Sequence, residues 1–182
     1  MSTTAGVSAG EIAVRSILIM ADGERSDFDD LIHPYAENRE GRIEPPECRS
    51  GGPEGFHAIA LWLRTAFDGL AYEIHHVVAD GNLVAVNTTM SGRHVAPFVV
   101  YTPDGEVDTA FPPTGKTFAI TQSHWFRIED GKVAEHWANR DDLGQAQQLG
   151  WVPPTPAYLV RMARAKARAR RIARPSQSAP SR

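Results

Sequence analysis

The sequence predicts an α+β domain: a curved antiparallel β-sheet packed on N-terminal helices. Apolar residues recur at helical spacing through about the first 70 positions. From Ala71 onward the pattern changes to the alternation of strands, broken by turn signals at Asp80-Gly81 and Asp130-Gly131. Helices that come first and strands that come after segregate to one face of a sheet, whereas βαβ units would interleave the two.

The helices follow from local signals. Ser8 and Glu11 form a capping-box pattern ahead of the apolar run from Ile12 to Met20, and Gly23 ends that helix. Ser26 is placed to cap a second, short helix with Phe28, Leu31 and Ile32 on one face, and Pro34 turns His33 away from helix. Gly51, Gly52 and Pro53 open a third helix, whose stripe of Phe56, Ile59, Ala60, Leu63 and Phe67 must find a partner, and Gly69 closes it. Strands are predicted near 71–79, 82–95, 117–129 and 133–139, all rich in β-branched and aromatic residues. Residues 101–116, with three prolines and three acidic side chains, read as an exposed loop and a candidate pocket lid.

Length and composition bound the rest. At 182 residues, 42% hydrophobic and 23% charged, the chain is sized for one globular domain with a sizeable core. No window approaches the roughly 20 unbroken apolar residues of a membrane span, and the first residues lack a signal-peptide pattern, so a cytoplasmic protein with no membrane partner is expected. A lone Cys48 fits that compartment. The net charge of -3 conceals a division. Residues 158–182 hold eight Lys or Arg and no acid, leaving 11 basic against 22 acidic residues in residues 1–157. The predicted organisation is therefore a domain over 1–157 and a basic tail over 158–182, helical and then disordered. The acidic body would repel phosphate, which argues against nucleic acid.

Along the 117–129 strand, Phe118, Ile120, Gln122, His124, Phe126 and Ile128 share one face. Two polar residues in that apolar row must find hydrogen-bond partners or face a ligand, since an unpaired buried polar group costs about 1–3 kcal/mol. The next strand admits two registers. A two-residue turn at Asp130-Gly131 would put Glu135, Trp137 and Asn139 beside Gln122 and His124. A three-residue loop over 129–131 would put Ala134, His136 and Ala138 there instead.

The segment HWFRIEDGKVAEHWANRDDLGQAQQLG, residues 124–150, resembles the C-terminal signature of the SnoaL-like polyketide cyclases. Further similarities are the Ile32-His33-Pro34 triplet with Asn38 five residues after His33, the GRHV of Gly92 to Val95, which contains His94, and the PPTGK turn before the Thr117 strand. Together they cover roughly residues 10–152. The resemblance implies a nuclear transport factor 2-like fold, a cone-shaped α+β barrel that is commonly dimeric, with a hydrophobic small-molecule pocket and no cofactor. The activity it implies is intramolecular aldol closure of polyketide esters.

Aldol closure needs a base for a proton alpha to a carbonyl, a donor for the enolate oxygen and a dry pocket. In the gapless comparison the acid/base Asp of the cyclases falls on Ala138, while Gln122, His124 and, by spacing, Asn38 match. Three readings stay open: Asp141 or Asp142 substitutes as base; His124 or His136 does so; or the domain binds a ligand without catalysis, or has diverged to hydroxylation or isomerisation. Asp141 or Asp142 is equally well placed to cap a short helix that ends before Gly150. The expected catalytic pair is thus His124 and Asp141, with Asn38, Gln122, His94, His136 and Trp137 as candidate substrate contacts. The seven histidines lack zinc-site spacing, so no metal is expected.

Overall fold

The computed structural model describes residues 7–41 and 43–173. The chain opens with α1 (Ala9–Asp22), α2 (Arg25–Leu31) and β1 (Ile32–Asn38), then a 3-10 turn over Pro46–Ser50 and α3 (Gly52–Ala66). Six strands and two helices follow: β2 (Phe67–Asp80), β3 (Leu83–His94), β4 (Phe98–Tyr101), β5 (Val107–Phe111), β6 (Thr117–Glu129), β7 (Lys132–Arg140), α4 (Asp142–Leu149) and α5 (Pro156–Ala173).

Ser8 and Glu11 do form the capping box of α1, and the Gly23 N–H returns to Ile19 O. At α2 the cap is Glu24, which exchanges hydrogen bonds with Asp27; Ser26 lies inside the first turn. The chain passes from α3 into β2 with no intervening loop, so Gly69 closes no helix. It lies within β2, at φ +62, where the register with β3 slips between Asp68 and Ala71. A second slip follows between Ile74 and His76. Such irregularities bend a strand and raise its local twist, which curls the sheet over the helices.

The main sheet runs β1-β7-β6-β3-β2. All its pairings are antiparallel save the edge, where β1 lies parallel to β7. That one parallel pairing was not foreseen, and it carries Asn38 opposite His136. The proline-rich stretch is partly ordered, since β4 and β5 pair into a small hairpin sheet. Two apolar clusters hold the layers together. One joins α1, α2 and α3 to the sheet through Ile17, Phe28, Phe56, Val86 and Phe126. The other gathers Phe67, Met90, Phe118, Leu149 and Trp151 at the opposite end. Full burial of Phe28 alone stabilises the fold by about 2–3 kcal/mol.

Tyr158 and Met162 join the second cluster, and the Tyr158 hydroxyl donates to Pro112 O at 3.2 Å. The boundary drawn at 157 therefore falls inside a packed segment: α5 begins as part of the domain because its Tyr158 ring fills the end of the core. Residues 174–182, where the tail was expected to be disordered, lie outside the described residues. No described helix is long and apolar enough to cross a membrane.

Candidate active site

The β6–β7 hairpin sets the site. Asp130 and Gly131 both have positive φ, 48 and 74, so the turn is the two-residue kind, with Glu129 opposite Lys132. Register then shifts between Ile128 and Arg127, leaving Ala134 unpaired, and beyond it Phe126 faces His136, His124 faces Ala138 and Gln122 faces Arg140. Turn length and side-chain facing were coupled in the sequence reading; one bulge uncouples them.

Between the two apolar clusters lies a cavity of about 310 Å³, within the range of small-molecule sites. Its walls are mostly apolar and aromatic, including Phe56, Trp62, Tyr72, Phe98 and Phe111. Polar groups converge at one side, where they form a continuous chain. Gln122 Nε2 donates to Met90 Sδ at 3.2 Å, and Gln122 Oε1 lies 2.8 Å from His124 Nε2. His124 Nδ1 lies 2.9 Å from His136 Nε2, and His136 Nδ1 lies 3.1 Å from Asn38 Oδ1. Asn38 Nδ2 then donates to both oxygens of Glu44, at 3.2 and 3.3 Å.

The charges around this chain are built as carefully as the contacts. Arg140 on β7 lines the cavity, held by Glu40 at 3.4 Å and Asp142 at 3.5 Å. Burial, and then the Arg140 charge, push the His124 imidazole down to about 4. His136 is likewise held well below its usual value by burial, with His124 and Arg140 adding to the effect. Burial works the other way on Glu44, raising its carboxyl to about 7 even though Arg140 and the Asn38 amide pull it down. Two acidic groups at the same wall, Glu40 and Glu44, thus have different duties: one clamps a cation and the other is buried against an amide.

Of the seven residues expected at the site, the structure brings four together: Asn38, Gln122, His124 and His136. Asp141 is not among them, because its side chain accepts the Gly144 N–H at 2.8 Å and caps α4. Its neighbour Asp142 reaches the cavity. Trp137 faces the outside of the sheet, stacked on Trp125 at 6.2 Å with the Arg39 guanidinium over its ring, because beyond the bulge at Ala134 the odd-numbered β7 residues face outward. His94 is fully buried between Phe67 and Trp151, behind the cavity wall that those two rings help to form, and does not line the cavity itself. Ala138 pairs with His124, and its N–H donates to Glu40 at 3.3 Å. Sequence reasoning missed Glu44, Arg140 and Tyr72; the one available signal was a carboxylate six residues after Asn38 and immediately before Pro45-Pro46.

Among the described residues, no three His, Cys, Asp or Glu side chains converge in a manner suited to a metal ion. A family profile described as SnoaL-like polyketide cyclase matches residues 15–149, which is most of the chain. The chain belongs to the SnoaL-like polyketide cyclases. The aklanonic acid methyl ester cyclase DnrD of Streptomyces peucetius is 35% identical over 136 residues, covering 74% of this chain and 85% of that protein. The nogalonic acid methyl ester cyclase of Streptomyces nogalater is 30% identical over 132 residues, covering 70% and 87%. Among solved structures, TsrD from Streptomyces laurentii superimposes with a TM-score of 0.62 at 25% identity, over 78% of this chain and 95% of that one. This SnoaL-like chain shares the fold of that structure, and the position opposite His124 carries the methyl group of Ala138.

Proposed function

We propose that this SnoaL-like protein closes a ring in a hydrophobic polyketide-type ester by a cofactor-independent aldol step. The observation that carries the reading is the Asn38–His136–His124–Gln122 chain on one wall of an otherwise apolar cavity. The apolar walls fold a flat substrate and exclude water, so the electrostatic contacts to it act in a low-dielectric site. Arg140 and the Gln122 amide stabilise the enolate oxygen as its charge develops. His124 orients a substrate carbonyl, its ring held in place by contacts to Gln122 and His136. The reading includes a cytoplasmic homodimer.

Incubating the purified protein with aklanonic acid or nogalonic acid methyl ester, the substrates named for its relatives, tests this. A cyclised product of unchanged mass is expected, and light scattering of the same sample should give twice the 19.9 kDa chain mass. Saturable binding of the ester without turnover would instead favour a ligand-binding module, the reading that the Ala138 methyl supports.

A further inference from the structure

The ring closure needs a proton acceptor, and the groups first expected in that role are otherwise engaged. Asp141 caps α4. His124 and His136 are held neutral and weakly basic by burial. Glu40 and Asp142 hold Arg140. Glu44 lines the same cavity, is 4% exposed, and has Asn38 Nδ2 on both of its oxygens. The charged and titratable groups around it are Glu40 after β1, Glu47, Cys48 and Arg49 on the 3-10 turn, and Arg140 on β7; Tyr101 on β4 bonds the adjoining Ile43 backbone.

We propose that Glu44 is the catalytic base of the ring closure, and that Asn38 couples its charge to the tautomers of His136 and His124. The base role rests on the cyclase reading, whereas the coupling does not.

Proton counting along the chain supports the coupling. With Asn38 Oδ1 facing His136 and Gln122 Oε1 facing His124, the pair of imidazoles meets an acceptor at each end. Three junctions then need three N–H protons, and two neutral rings carry two. One terminal amide must therefore turn. If Asn38 turns, its Nδ2 donates to His136 Nδ1, both rings carry their proton on Nε2, and Asn38 Oδ1 faces Glu44, which only a protonated Glu44 can satisfy. If Gln122 turns, both rings carry their proton on Nδ1, and Asn38 keeps its N–H groups on an ionised Glu44. Each state has a local contact in its favour. Gln122 Nε2 on Met90 Sδ fits the first, and the Glu40 N–H, 3.2 Å from Asn38 Oδ1, fits the second.

In the reaction, ionised Glu44 takes the proton from the carbon alpha to a substrate carbonyl, and the C–H electron pair becomes the enolate. The enolate carbon attacks the second carbonyl, forming the C–C bond, and the resulting alkoxide takes the proton back from Glu44. No atom leaves, and the product is an isomer. A carboxyl raised by burial to about 7 suits this work, because general-base efficiency is greatest when the pKa lies near the operating pH.

The test has two arms. Nitrogen-15 NMR of the imidazoles, without substrate, compares wild type with Glu44→Gln between about pH 5.5 and 8.5. Tautomer signals of His124 and His136 should change together near pH 7 in wild type and not at all in E44Q; signals indifferent to pH, or a transition that persists in E44Q, would overturn the coupling. With ester substrate, wild-type kcat should rise through about pH 7, and E44Q should lose about 100-fold or more in kcat with KM changed by less than about threefold. An E44Q kcat within about threefold of wild type, with the same pH profile, overturns the base. Thermal melts report folding, and Glu44→Leu carries both arms if E44Q does not fold. Absence of turnover in wild type defeats the cyclase reading and the base role with it, while the NMR arm still decides the coupling.

Discussion

His94 and the His124–His136 pair are all buried imidazoles whose basicity burial depresses, yet they sit in opposite surroundings. His94 ends β3 in an aromatic cage: its Nε2 has no hydrogen-bond partner, and its polar neighbours are Thr114 Oγ1, 3.5 Å from Nδ1, and the Ala96 backbone. Burial pushes it down to about 4, the same value as His124. His124 and His136, by contrast, have a partner on all four ring nitrogens and face a cavity. Low basicity therefore does not mark function in this protein. What separates the two regions is whether the ring nitrogens belong to a chain that a substrate can reach.

Substitutions at His124 and His94 separate the two regions most sharply. His124→Ala should lower kcat by about 100-fold or more at a modest cost in stability, because it cuts the chain beside the substrate. His94→Ala should do the reverse, losing about 2–4 kcal/mol of stability through the cavity it leaves, with kcat within about threefold of wild type. Denaturant melts and steady-state kinetics on the two variants check both outcomes; equal kinetic losses would erase the distinction.

A smaller effect is the pH dependence the three rings share. Folded, they stay neutral to low pH; unfolded, they bind protons near 6.5. Their contribution is thus complete above about pH 6.5 and is lost as pH falls toward 4, by at most about 3 kcal/mol at His124. Glu44 has the opposite sign, because its raised carboxyl stabilises the fold when protonated, below about pH 4.5, and that contribution is lost as pH rises to about 7. Melts between pH 7.5 and 4.5 should show Tm falling on acidification, more steeply in E44Q than in wild type. A Tm that climbs on acidification would show that the histidines do not dominate. The smallest expected effect is at Trp137: Trp137→Ala should leave kcat and KM within about twofold, since the ring lies on the outer face. A tenfold rise in KM would return it to the pocket.

Much of this molecule is legible along the chain. The capping box at Ser8, the stripe on α3 and the period of β6 are local patterns, and each depends on neighbours within a few residues. They determine the α+β class and place Gln122 and His124 on the inward face, and the family motifs add Asn38. Three matters only the tertiary structure decides. The bulge at Ala134 sends His136 inward and Trp137 outward, because a one-residue slip inverts the facing of every later side chain. Parallel pairing of β1 with β7 brings Asn38 to His136 across 98 residues of sequence. Burial turns Glu44, a carboxylate beside two prolines with no periodic pattern to mark it, into a group that titrates near neutrality. Periodicity shows which way a side chain points; its charge depends on how much solvent and which partners the folded chain leaves around it.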